Sequence, residues 1–86
     1  MKYAWKITKD HIDGEDTNTT GPCSITSEQQ TELDSGKGTP FQMLDDDGEL
    51  YYSGIIIGNF TGFEPLEDFG MPNAGCTAIK VSGKYL

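Results

Sequence analysis

Cys76, His11 and the carboxylates of Glu64, Glu67 and Asp68 are the side chains of this 86-residue sequence that could do chemistry. A thiol beside an imidazole is a nucleophile with its base, and Asp68 or Asn73 could orient the ring. Neighbouring carboxylates can push their pKa values apart and serve as acid and base. Neither pattern is specific. A cysteine and a histidine meet in space rather than in sequence, and Cys76 opens an apolar strand, the ordinary place for a buried thiol. Exposed loop carboxylates mostly solvate a surface, and so short a chain leaves little wall for an enclosed pocket. No residue is assigned a catalytic role, and the chain is read as non-enzymatic.

Asp45-Asp46-Asp47-Gly48-Glu49 offers hard oxygen donors of the kind calcium takes. A calcium loop of the EF-hand kind needs alternating ligands, with a glycine and a glutamate at fixed positions that are absent here. Two isolated cysteines and one histidine lack the paired spacing of a zinc site. Gly36-Lys37-Gly38-Thr39 lacks the preceding strand and upstream glycine of a phosphate loop. No metal and no cofactor is expected. Cys23 and Cys76 allow one disulfide at most, and the lack of an export signal favours reduced thiols and the cytoplasm.

Charge is the most unusual feature. Six lysines and no arginine face 14 carboxylates, for a formal net charge of -8 and a pI of about 4.2. Such a chain is a poor direct partner for DNA, RNA or an anionic membrane. No apolar run approaches the roughly 18 residues needed to cross a bilayer. Between Gly38 and Ile79 there is no basic residue, while Asp45, Asp46, Asp47, Glu49, Glu64, Glu67 and Asp68 add seven negative charges. The expected site is these seven carboxylates on one face, with Tyr51, Phe60 and Phe63 as apolar anchors. Its partner would be a basic protein surface. Carboxylates can stand in for phosphates, so the face could occupy the groove of a nucleic-acid-binding protein as a decoy. Charge of this size also simply keeps a small protein soluble. The alternative is a small-ligand or metal-binding domain, even a catalytic one, centred on residues 64–76.

The elements that position these residues follow from periodicity. Residues 2–9 alternate, with Tyr3, Trp5 and Ile7 on one side and Lys2, Ala4, Lys6 and Thr8 on the other, which predicts a half-buried strand. Residues 10–22 are Asp, Gly, Asn and Thr with only Ile12 as an anchor, and a long mobile loop is expected there. Thr26 or Ser27 can cap a short helix within 24–36, with Gln29 or Gln30 three residues on and Gly36 as its stop. Its only large apolar residues are Ile25 and Leu33, enough to cover one edge of a sheet.

Two strand-like runs around Asp47-Gly48 predict a β-hairpin. A two-residue turn pairs Leu44 with Tyr51, Met43 with Tyr52 and Phe41 with Gly54. A bulge at Gly48 sets Leu44 against Leu50 instead. Ile55, Ile56 and Ile57 are apolar towards both faces and mark a central strand covered on each side. Residues 58–75 are rich in Gly and Pro yet carry several large apolar side chains, which predicts an ordered loop with its carboxylates outward. Strands at 76–81 and 84–86 complete one domain over residues 1–86. The fold class is α+β, mainly β: a small antiparallel sheet or half-closed barrel of about four to five strands with one short helix. If the first and last strands pair, the terminal lysines gather together and leave the hairpin tip and the long loop acidic.

Three blocks carry a resemblance: L-D-D-D-G-E-L-Y-Y-S-G at 44–54, G-F-E-P-L-E-D-F-G-M-P-N-A-G-C-T at 62–77 and W-K-I-T-K-D-H at 5–11. Together they resemble a recurring group of small acidic proteins of bacteria and phages. The resemblance implies a stand-alone domain in bacteria or their phages and transfers no catalytic role.

Overall fold

The alternation of the first segment folds as strand β1 (Tyr3–Asp10), with Ala4, Trp5 and Ile7 buried. The computed structural model describes residues 3–86, so Lys2 lies outside the described residues. After a turn at residues 11–14 the chain returns as β2 (Glu15–Gly21), antiparallel to β1. The loop expected over 10–22 is therefore an edge strand. Its threonines Thr17, Thr19 and Thr20 are β-branched, and an edge strand needs no apolar alternation when most of its side chains meet water.

Helix α1 (Ser27–Asp34) starts where the capping pattern places it. The Gln29 backbone N–H donates to Thr26 Oγ1 at 3.1 Å, and the Thr26 N–H donates to Gln29 Oε1 at 2.9 Å. Gly36, with φ at 79°, ends it. The helix buries Leu33, which joins Ile25 against Ala4, Ile55 and Ile57 on one face of the sheet. Lys6 of β1 reaches Asp34 at 3.2 Å. Asp34 is exposed, so solvent screens the pair and it contributes little to stability.

Strands β3 (Thr39–Leu44) and β4 (Leu50–Gly58) form the expected hairpin, in a register that combines both alternatives. Asp45 pairs through its N–H with the Glu49 carbonyl at 3.0 Å, and Gly48 takes a φ of 79°. Leu44 accordingly faces Leu50, the bulged alternative. Beyond it Met43 faces Tyr52 and Phe41 faces Gly54, the alternative of the two-residue turn. Tyr51 is the extra residue that resets the register. Phe41 lies across Gly54, as expected from a bare glycine beside an aromatic residue: a Cβ at Gly54 would come within 2.6 Å of Phe41 Cζ.

The largest departure concerns residues 58–75. Glu64 to Ala74 are helical throughout, with a π-helical turn (Leu66–Gly70) leading into α2 (Met71–Ala74). Each residue that argued against a helix has a helix-compatible place. Pro65 lies in the first turn, where its missing N–H has no intrahelical partner. Pro72 sits two residues past the π turn. In an α-helix its ring would strike the Asp68 carbonyl, and the wider turn relieves that contact. Gly75 ends the run in the left-handed region with φ at 68°. Gly70 lets this helix lie close to the sheet, since a Cβ there would meet Met43 Sδ at 2.7 Å.

Strands β5 (Ala78–Val81) and β6 (Lys84–Tyr85) close an open six-stranded antiparallel sheet of order β2-β1-β4-β3-β5-β6. The α+β, mainly β class holds, with six strands rather than four or five and a second helical run beside α1. The central position of β4 also holds. Ile56 packs on one face with Trp5, Ile7, Phe41, Met43, Leu66 and Ile79, and Ile57 on the other with Leu33. β1 and β6 do not pair, because β4, β3 and β5 lie between them. The lysines are thus not gathered: Lys6 and Lys9 sit on β1, and Lys80 lies 4.7 Å over the Tyr85 ring at the far edge. No helix among the described residues is long and apolar enough to cross a membrane.

Candidate functional site

Strand order decides which carboxylates can act together. β1, β2, β3 and β4 place the turn at 11–14 and the hairpin tip at 45–49 at the same end of the sheet, since Asp10 faces Tyr52 and Leu44 faces Leu50. The backbone N–H of His11 bonds the Tyr51 carbonyl at 2.8 Å and ties the two turns together. Asp10 and Asp45 play the same part in each. Asp10 Oδ1 accepts from the N–H groups of Ile12 (2.9 Å) and Asp13 (3.2 Å). Asp45 Oδ1 accepts from those of Asp47 and Glu49, both at 2.9 Å. The Glu49 N–H foremost holds the Asp45 carboxyl below its usual range.

Two tyrosines sit between the turns. The neighbouring Asp45 carboxylate foremost, and then the Glu49 charge, push the Tyr51 phenol up. Burial pushes Tyr52 up first, then the charges of Asp10 and Asp13. Four carboxylates from two turns therefore act on two neighbouring rings. Asp13, Asp46, Asp47 and Glu49 are exposed and make no side-chain hydrogen bond or ion pair among the described residues. Lys9, the β1 lysine adjoining this end, is held by Asp16 at 3.6 Å.

Glu64, Glu67 and Asp68 do not join them. Glu64 accepts from the N–H groups of Thr61 (2.7 Å) and Gly62 (2.8 Å), capping the start of its own helix. Burial works to raise its pKa, and the Thr61 and Gly62 donors outweigh it, so the group is lowered. Asp68 Oδ2 accepts from the Tyr3 hydroxyl at 2.9 Å and from Trp5 Nε1 at 3.0 Å. Tyr3 faces Gly58, the last residue of β4, whereas the hairpin tip follows the first. Trp5, the other donor to Asp68, faces Ile56, and from Leu50 to Ile56 the strand rises roughly 20 Å, more than twice the Debye length of about 8 Å. The single acidic face expected from the sequence is thus divided. Asp45, Asp46, Asp47, Glu49 and Tyr51 share one end of the sheet. Glu64 and Asp68 are engaged in fastening the helical run near the other end, beside exposed Glu67 and Phe63.

The residues that sequence reasoning missed are Asp10 and Asp13. Their signal is an Asp-x-x-Asp-Gly turn after an alternating strand, which reading residues 10–22 as a loop leaves with no fixed neighbour.

The thiol reading finds no support in the geometry. Cys76 is fully buried, and burial pushes its pKa up, away from the thiolate. His11 Nε2 lies instead 2.8 Å from Ser53 Oγ. Among the described residues no three His, Cys, Asp or Glu side chains form a metal-sized cluster.

Tyr3 gives a prediction readable by absorbance. Burial first, then the hydrogen bond to Asp68, push its phenol from 10.0 up to about 12. Below pH 10 both folded and unfolded chains hold this proton, and the contribution to stability is complete. Above pH 10 the unfolded phenol ionises first, so the contribution is lost as pH rises through about 12. A tyrosinate titration at high pH is expected to show a late component that Tyr3→Phe removes. A Tyr3→Phe titration indistinguishable from that of the parent would contradict the assignment.

No family model, curated protein or solved structure matches the chain.

Proposed function

We propose that this chain is a non-enzymatic binding module that presents the two-turn end of its sheet to a basic protein surface. The observation that supports it is the meeting of Asp10, Asp13, Asp45 and Glu49 around Tyr51 and Tyr52, with Asp46 and Asp47 projecting beside them. Asp10 and Asp45, fixed by backbone donors, keep their charge, lose no side-chain entropy on binding and set the two turns from which the unbonded Asp13, Asp46, Asp47 and Glu49 project. Fixed acids on a rigid sheet can replace phosphates in the groove of a nucleic-acid-binding protein, and a decoy of that kind is the finer reading. It agrees with the bacterial and phage setting that the sequence resemblance implies.

The test is binding of fluorescein-labelled octalysine, read by anisotropy. Affinity is expected to fall about tenfold or more between 20 and 200 mM salt. Asp46→Asn with Asp47→Asn should weaken it by several-fold without moving the thermal midpoint. These two are the informative substitutions, because Asp45→Asn would disturb the turn itself. Salt-insensitive binding, or none at low salt, would refute the reading.

A further inference from the structure

Strand β2 forms one edge of the sheet, with β1 on its inner side and no strand beyond it among the described residues. Thr17 Oγ1 donates to the Ile7 carbonyl, which therefore points towards β2, and Ile7 faces Thr19. Thr19 thus directs its own N–H and carbonyl inwards, and strand alternation turns those of Thr20 outwards. Among the described residues these outward groups have no backbone partner. Such a row is a template for one more strand.

The two edges of the sheet are unlike. β6, at the far edge, has two residues, one of them Lys84, a length and a charge that discourage pairing. β2 has seven residues with no lysine and no proline, and Thr17, Thr19 and Thr20 are β-branched. It is also held in place before any partner arrives. The Trp5 indole lies across Gly21, where a Cβ would come within 2.6 Å of Cη2, and Lys9 reaches Asp16 at 3.6 Å. Pairing with a strand that is already ordered costs less entropy.

We propose that β2 is the docking edge for an extended basic segment of the partner, which adds to the sheet as a seventh, antiparallel strand. The inference rests on the binding-module reading above and names the form in which the basic partner is held.

The backbone selects an extended chain, because outward N–H and carbonyl groups of a strand are satisfied in register by another strand. Charge selects the sign at one end. Glu15 and Asp16 are exposed, and Glu15 follows directly on the turn at 11–14 that carries Asp13. Glu15 also stands directly opposite Asp10 in the β1–β2 ladder, a like-charge pair that a cation alongside relieves. Against these four acids stand Lys9, which is paired with Asp16, and the single imidazole of His11. Residues 18–21 are uncharged, and the register shift between Ile7 and Lys9 separates them from the acidic start. The fitting segment therefore has uncharged β-formers beside 18–21 and basic residues beside 15–16. In the antiparallel sense its basic residues lie at its C-terminal end.

The experiment titrates four peptides into 15N-labelled protein. They are acetyl-Thr-Val-Thr-Val-Lys-Lys-amide, its reversed sequence acetyl-Lys-Lys-Val-Thr-Val-Thr-amide, and two forms of the first, N-methylated at both valines or at both threonines. The first is expected to shift the amide signals of residues 15–21 and to bind about threefold or more tightly than the reversed peptide. One N-methylated form should lose binding and the other retain it, since alternate donors face β2 and solvent. Thr20→Pro, which removes an outward donor without breaking a bond to β1, should weaken the first peptide by about threefold or more. Glu15→Lys, at an exposed position, should do the same through charge. Shifts confined to residues 45–49, equal affinity for the reversed peptide, equal binding of both N-methylated forms, or an affinity untouched by both variants would overturn the proposal. Octalysine separates this edge from the reading beneath it. Salt-dependent octalysine binding, together with a strand peptide that leaves β2 unmoved, removes the docking edge and leaves the binding module standing. Loss of octalysine binding in the parent protein removes the module itself.

Discussion

Gly54→Ala is expected to destabilise the protein by about 3 kcal/mol or more, the upper end of the cost of overpacking. Gly54 occupies the middle of β4, the strand that both β1 and β3 flank, and faces Ile7 on one side and Phe41 on the other. A Cβ placed there would collide with the backbone carbonyl of Lys6 and come within 2.6 Å of Phe41 Cζ. The ring could swing away, but the carbonyl belongs to a strand fixed by its own ladder, next to the bulge between Ile7 and Lys9. A domain of this length holds roughly 4 to 13 kcal/mol of stability in total. The thermal midpoint should therefore drop by about 12 °C or more, followed by circular dichroism. Gly54→Ala combined with Phe41→Leu separates the two contacts. Only partial recovery is expected relative to Phe41→Leu alone, because the Lys6 carbonyl stays. A midpoint within about 3 °C of the parent would show that the sheet opens freely at this point, contrary to the packing described.

The Gly54 contact was legible in the sequence because a hairpin turn counts residues. Once Asp47-Gly48 is placed at a turn, the partner of Gly54 is fixed to within one position, and the aromatic choice at Phe41 identifies it. What the count could not show is that the strand would slip at Gly48 and recover at Tyr51. A second irregularity restores the first, and both are invisible to a pattern that assumes a uniform register.

The helical run failed for a related reason. Pro65, Gly70, Pro72 and Gly75 lower helix propensity on average, yet their effect depends on position within the helix. Leu66, Phe69, Gly70 and Ala74 do recur at helical spacing, the pattern that would have revealed it, but a glycine in an apolar face reads as a gap. Here the gap is where the helix approaches Met43. β2 was lost because most of its side chains, on both faces, meet water, which leaves no apolar alternation to read. That loss carried over to the site. With residues 10–22 assigned to a loop, Asp10 and Asp13 had no fixed place, and the acids around 64–68 were left as the apparent partners of the hairpin tip.

Those acids have a structural task, and Asp68 states it most sharply. Asp68→Ala should cost about 2 to 3 kcal/mol, the loss of hydrogen bonds to a charged acceptor together with a stranded donor. The donor is the indole N–H of Trp5, whose residue is 3% exposed, so water cannot readily replace the carboxylate. The Tyr3 hydroxyl is the less dependent of the two, since Tyr3 is only half-buried and can turn to solvent. Phe69, next in sequence, packs edge-on to both Trp5 (5.6 Å) and Tyr52 (5.0 Å), and releasing Asp68 frees the helix just where it grips the sheet. The thermal midpoint is expected to fall by about 8 °C or more, with a change in tryptophan emission. Tyr3→Phe should cost less, and the double variant little more than Asp68→Ala alone, because both substitutions break the same bond. Octalysine binding provides the contrast. A side chain far from the two-turn end should leave affinity unchanged in folded Asp68→Asn, whereas Glu49→Gln should reduce it with no loss of midpoint. If Asp68→Asn instead weakened octalysine as much as Glu49→Gln does, the two acidic regions would be acting as one surface, and the division of the carboxylates by the length of β4 would no longer govern binding.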